Sequence, residues 1–181
     1  MYNMPVYDVD NLSVGGGILY LGPTGATPTI DVGATRAGAV LTVTRNKEKV
    51  FTGSPLHLIE AIATKEDVMF SITALEWNLS NISRVLGAGI TVHTAALENF
   101  ELGGELSFDK YALLFRHRTK AGHTINIKLW KVTGSGSQVI TFGEGVQEFP
   151  WEFEAHDATT DWAGNSTGED RRLFEIERKK Q

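Results

Sequence analysis

The sequence predicts a mainly β protein: a β-sandwich or barrel of about seven to nine strands, one short flanking α-helix and long loops. Three observations predict it. Apolar and polar residues alternate with period two in several separate runs, most clearly in VMFSITALEW at 68–77 and in HTINIKLWKV at 123–132. Clusters rich in Gly, Pro, Thr, Asn and Asp punctuate those runs. One segment, NLSNISRVLG at 78–87, switches to helical spacing, with Leu79, Ile82 and Leu86 on one stripe and Gly87 where a helix C-cap is expected.

Taken in order, residues 1–14 are polar and aperiodic and read as an extended N-terminal arm, ahead of a single domain over 15–181. Gly15-Gly16-Gly17 is a joint before a short strand at Ile18–Leu21. The stretch 22–35, GPTGATPTIDVGAT, reads as a long loop. Ala39–Thr44 alternates as a strand, and the charged run Arg45–Lys49 turns or leaves the sheet. Leu56–Ala63 fits a strand or, after Pro55, a helix; strand is preferred because Val68–Trp77 needs a nearby partner. Thr64-Lys65-Glu66-Asp67 is suited to the hairpin turn between them. In Val68–Trp77 both residue sets are apolar or small, so that strand needs cover on both faces, the second layer coming from the same chain or from a neighbouring subunit.

Tyr111–Arg118 and His123–Val132 are two strands around the loop Thr119–Gly122. Gly134–Ser137 is a flexible turn. Gln147–Ala155 is a strand whose Pro150 marks an edge or a bulge. Residues 157–170 form a polar loop, and Leu173–Glu177 is a last short strand.

Composition limits the function classes. A net charge of -5 argues against a nucleic-acid binder held by phosphate contacts. The absence of cysteine removes disulfides, thiolate metal sites and cysteine nucleophiles. No apolar run approaches the roughly 20 residues of a membrane span. MYNMPVYDVD has neither a basic region nor an apolar stretch, so no signal peptide is expected and synthesis is expected in the cytoplasm.

The chemistry-bearing residues form no catalytic set. VGGGILYLGPTG lacks the spacing of a phosphate cradle and reads as hinge and loop. His117 and His123 flank the 119–122 loop without an evident third metal ligand. His156, Asp157 and Asp161 offer a base and carboxylates, but there is no nucleophile elbow. Glu152 and Glu154 share one strand face opposite Trp151 and Phe153, which reads as an acidic solvated face over an aromatic core face. No catalytic, metal or cofactor residue is therefore expected. The basic cluster Arg116, Arg118 and Lys120 is either a solvated hairpin tip or a contact with an acidic patch on a neighbouring copy. Glu60, Glu66 and Asp67 are the acidic candidates for such an inter-subunit contact.

The segments GGGILYLGPTGATPTIDVGATRAGAVLTVTR at 15–45, SPLHLIEAIATKEDVMFSITALEWNLSNISRVLG at 54–87, YALLFRHRT with HTINIKLWKV at 111–132, VQEFPWEFEAHDA at 146–158 and LFEIE at 173–177 resemble the major tail tube proteins of long-tailed bacteriophages. Residues 88–108 match that pattern less clearly. The resemblance implies a β core with a flanking helix, an architecture shared with type VI secretion tube proteins. It implies rings, usually hexameric, stacked into a tube through which DNA passes without specific binding. It further implies a place in the virion tail, with the tape measure, tail terminator and distal tail proteins as partners. An acidic lumen would suit that role, because it repels phosphate. The alternative is a β-sandwich binding module for a carbohydrate or receptor on a virion or cell surface.

Overall fold

A computed structural model describes residues 15–36, 38–104, 106–167 and 172–180. The expected arm at 1–14 lies outside them. Among the described residues ten strands and one helix run in the order β1 (Gly17–Pro23), β2 (Ile30–Asp31), β3 (Val40–Thr52), β4 (His57–Ala74), α1 (Leu79–Leu86), β5 (Ile90–His93), β6 (Glu98–Glu101), β7 (Tyr111–Arg118), β8 (Thr124–Gly134), β9 (Phe149–Ala155) and β10 (Phe174–Lys179).

Eight strands form one antiparallel sheet in the order β2-β1-β7-β8-β9-β4-β3, and β10 joins it on β8. β5 and β6 form a separate two-stranded sheet. The large sheet does not close into a barrel; it forks at β8. β8 pairs β7 on one side. On the other it pairs β10 over Thr124–Leu129 and β9 over Val132–Gly134. The sheet curls so that its two halves face each other, and Phe70 of β4 meets Phe115 of β7 with ring centroids 5.4 Å apart. Leu19, Leu113, Leu129, Phe70, Trp151 and Phe153 fill the space between. Each such fully buried apolar side chain contributes roughly 1.5–3 kcal/mol to the fold.

The helix forms as its sequence predicts. The Asn78 side chain accepts a hydrogen bond from the Asn81 backbone N–H (3.0 Å), and Gly87 takes the left-handed conformation (φ 69°) that ends the helix. Ile82 and Val85 are buried, and Leu79 and Leu86 are half-buried. The helix lies so close to β8 that a Cβ on Gly134 would sit 1.8 Å from the Val85 carbonyl oxygen.

Four expectations need correction. Thr64–Asp67 is not a turn, and Arg45–Lys49 does not leave the sheet. Both lie inside one long hairpin whose turn is at 53–56. Leu56–Ala63 is strand as preferred, but it is the first half of β4 rather than a partner of Val68–Ala74; the partners of Val68–Ala74 are β3 and β9. The polar residues there mark a ribbon with both faces in water, a state that looks like turn composition in a sequence. Val68–Ala74 also has only one fully covered face: Val68, Phe70, Ile72 and Ala74 are buried, whereas Met69 is exposed and Ser71 and Thr73 are half-buried. Pro150 fits the expectation of an edge, because β8 reaches only the 153–155 end of β9.

The 157–167 part of the polar loop is tied to the body. Trp162 packs edge-on against Trp130 at 4.9 Å, and Ala158 is buried. Asp161 accepts hydrogen bonds from Ala163 N, Asn165 N and Asn165 Nδ2, and those to Asn165 come first in holding its carboxyl below the usual range.

Candidate assembly surface

The hairpin β3–β4 leaves the body at the pair Val43–Val68. Its thirteen- and eighteen-residue strands continue past that pair for roughly 30 Å at about 3.3 Å per residue. Two register shifts, at Thr64 and at Ile59, give β4 an extra residue each and increase the local twist. Among the described residues nothing covers this arm. Leu56, Leu58, Ile59 and Ile62 are all at least half exposed. Among the described residues β3 pairs only β4, and β4 pairs β9 only from Met69 to Ala74. Both long edges of the arm are therefore open.

Strand alternation gives the arm two chemically different faces. Arg45 with Glu66, Lys47 with Ala63, Lys49 with Ala61 and Phe51 with Leu58 continue the core side of the sheet. This face is basic and apolar. Asn46 with Lys65, Glu48 with Ile62 and Val50 with Glu60 continue the outer side. That outer face runs without a break onto β9, where Glu154 pairs with Met69 and Glu152 with Ser71. Glu48, Glu60, Asp67, Glu152 and Glu154 thus share one sheet face with Lys65 as the single cation of these strands. Lys65 is bonded to Asp67 at 2.8 Å, and that hydrogen bond holds the ammonium above the usual lysine range. Thr42, Thr44, Asn46, Ser71 and Thr73 fill polar positions between them, and the exposed apolar side chains Val40, Val50, Ile62 and Met69 interrupt the same face.

The residues expected at inter-subunit contacts scatter differently from the expectation. Glu60 and Asp67 belong to the acidic face, but Glu66 points to the opposite side and is ion-paired with Arg45. Arg116 and Arg118 lie on one face of β7, beside Gly16 and Gly17 in a hollow of about 450 Å³. Arg116 stands over the Tyr20 ring at 5.5 Å. Lys120 is exposed in the loop beyond. The acidic and basic sets do not meet within one copy.

The histidines do not converge. His117 is buried in the sheet, its Nδ1 hydrogen-bonded to the Gly16 carbonyl at 2.7 Å. His156 Nε2 lies 2.8 Å from Thr133 Oγ1, and His93 sits beside Ser80 and Glu98. Among the described residues no group of three or more His, Asp or Glu gathers that could hold a metal ion, and no helix is long and apolar enough to cross a membrane.

At the other end of β4 lies a second exposed feature. The loop before β9 presents Val139, Phe142 and Val146 to solvent, and the Phe142 ring rests on Trp77 at 5.9 Å. This patch left no sign in the sequence, which showed the acidic face only in pieces, Glu152 with Glu154 and Glu60 with Asp67. The carboxylates of that face are distant in sequence, and only the register of β3, β4 and β9 brings them together.

No protein-family model matches the chain, and no curated protein is significantly similar to it.

Proposed function

We propose that the protein is a structural, non-enzymatic subunit that assembles into rings stacked as the tube of a bacteriophage tail. The single observation that carries this reading is the β3–β4 arm, with two open edges and two uncovered faces. An isolated two-stranded ribbon is marginal in water, and its unpaired backbone groups demand a partner. Identical ribbons related by a rotation offer the β3 edge of one copy to the β4 edge of the next. That pairing is antiparallel in every copy and closes into a ring with no free edge. The outer face, with its carboxylates, then forms one continuous wall. Facing inward, it repels phosphate and lets DNA slide. The other tail proteins named above are partners in this reading, and the virion is its location.

Negative-stain microscopy and sedimentation of the purified chain over a wide range of concentration and salt test the reading. Rings or tubes are expected at high concentration. A protein that stays monomeric throughout, even when seeded with preformed tail fragments, counts decisively against it.

The binding-module reading has one observation in its favour, the exposed pair Trp77 and Phe142. Their rings are tilted by 43° rather than coplanar, which suits a sugar platform poorly. Stabilisation of the monomer by a glycan panel would revive it.

A further inference from the structure

We infer that the arm tip of one copy docks on the Val139–Val146 loop of the next copy along the tube axis, so that this pair of surfaces is the ring-to-ring contact. The inference rests on the tube reading and assigns one of its contacts.

Three observations carry it. The first is position. β4 spans eighteen residues, about 60 Å at 3.3 Å per residue, with the arm turn at one end and Ala74 at the other. Ala74 pairs with Phe149, the first residue of β9, so the loop that precedes β9 emerges at the pole opposite the arm. A copy displaced along β4 therefore brings one pole against the other. The second is shape and polarity. The tip presents Phe51 and Leu58 on its basic side, and the loop presents Val139, Phe142 and Val146, with Phe142 78% exposed. Apolar surface of this kind on both partners is what a contact buries. The third is charge. Lys47 and Lys49 make no ion pair among the described residues, and their cross-strand neighbours Ala63 and Ala61 leave them uncrowded. Glu144, exposed between Phe142 and Val146 in the loop, likewise makes no ion pair among the described residues; Glu148 is already held by Arg36. Two free lysines beside an apolar tip thus complement a free carboxylate within an apolar patch.

Such a contact joins two different surfaces of identical chains. It does not close on itself and propagates without limit along an axis. Edge pairing of the arms closes the ring, and the tip adds the next one. The two contacts use different parts of the arm and are separable by mutation.

The chain has no cysteine, so a pair of introduced thiols is the only source of covalent links. The test combines Thr52→Cys at the tip with Val146→Cys in the loop, oxidises the assembled protein and reads denaturing, non-reducing gels beside micrographs. The expected result is a ladder of covalent multimers from the double variant, with no more than dimers from either single variant. In parallel, Lys49→Glu and Glu144→Lys are each expected to lower the yield of tubes at least tenfold while rings persist, and their combination to restore it. Rings or tubes without a ladder, or charge variants that stack like the wild type, overturn the docking and leave the tube reading standing. A wild-type chain that never assembles overturns the tube reading itself.

Discussion

Val43 and Val68 are a cross-strand pair on the core side of the sheet, yet Val68 is 1% exposed and Val43 is 45% exposed. The covered body ends between them. Both line a cleft of about 360 Å³ shared with Leu173 and Phe174; the core closes over Val68, and Val43 stays open to solvent. Beyond this pair the backbone bonds of the hairpin have no hydrophobic cover. Amides in residues 44–66 should therefore exchange with solvent far faster in the monomer than those of β7 and β8, by a factor of a hundred or more. Assembly should protect them. Hydrogen exchange by mass spectrometry reads both states, and equal protection of arm and β7 in the monomer would contradict an arm that needs a partner.

The body was readable from sequence because its strands obey period two: Tyr111–Arg118 matches β7, and Trp151 and Phe153 face the core opposite Glu152 and Glu154. The stripe of Leu79, Ile82 and Leu86 with Gly87 at its end marked the helix, whereas the Asn78 N-cap emerged only from the structure. The arm was not readable in the same way. Lys47, Glu48, Lys49, Lys65 and Glu66 look like turn residues only because both faces of their ribbon meet water. The β5–β6 hairpin was missed because its apolar residues Ile90, Val92 and Leu97 are exposed, so its pattern does not alternate with burial.

Gly134→Ala should loosen α1 from the sheet. The new methyl group would meet the backbone of Val85, which cannot rotate away as a side chain can. Overpacking of this kind costs about 1–3 kcal/mol. Thermal unfolding should show the loss; an unchanged melting temperature would mean that α1 shifts freely on β8.

Ile82→Asp should be more damaging. Ile82 is buried on the inner stripe of α1, and its replacement places a carboxylate there without a partner. The expected loss is about 3 kcal/mol or more. Circular dichroism of the purified variant should show a cooperative transition well below that of the wild type. A wild-type transition would place the stripe in solvent.

The network around Lys128 predicts an acid-side stability loss. Asn126 Nδ2 donates to Glu177 at 3.1 Å, and Lys128 bonds both Glu175 and Glu177. The Asn126 hydrogen bond first, then Lys128, holds Glu177 below the usual carboxylate range. Burial opposes the charge on Lys128, but its bonds to Glu177 and Glu175 outweigh that and hold it above the usual lysine range. The Glu177 contribution is therefore complete above the ordinary glutamate range and disappears as pH falls through its lowered folded value. That of Lys128 is complete below the ordinary lysine range and fades only as pH rises through its raised folded value. Near neutral pH both are present. Glu177→Gln should lower the melting temperature at pH 7 and converge with the wild type in acid. Parallel curves across that range would show that β10 is held by its backbone pairing alone.

The acidic face decides how an assembled tube treats DNA. Glu48, Glu60, Glu152 and Glu154 share the outer side of β3, β4 and β9, and ring closure repeats them around one wall. Against such a wall each phosphate is repelled, and no counterions are released to offset the cost. Wild-type tubes should therefore fail to retain duplex DNA even in about 50 mM salt, where non-specific phosphate contacts are strongest. Replacing the four glutamates by lysine should create retention that falls steeply as salt rises. Because a fully charge-reversed ring has its own self-repulsion, mixed tubes seeded with a minority of the variant supply a second measurement, with retention rising with the variant fraction. Tight DNA binding by wild-type tubes, or no gain in the mixed ones, would place this face away from the lumen.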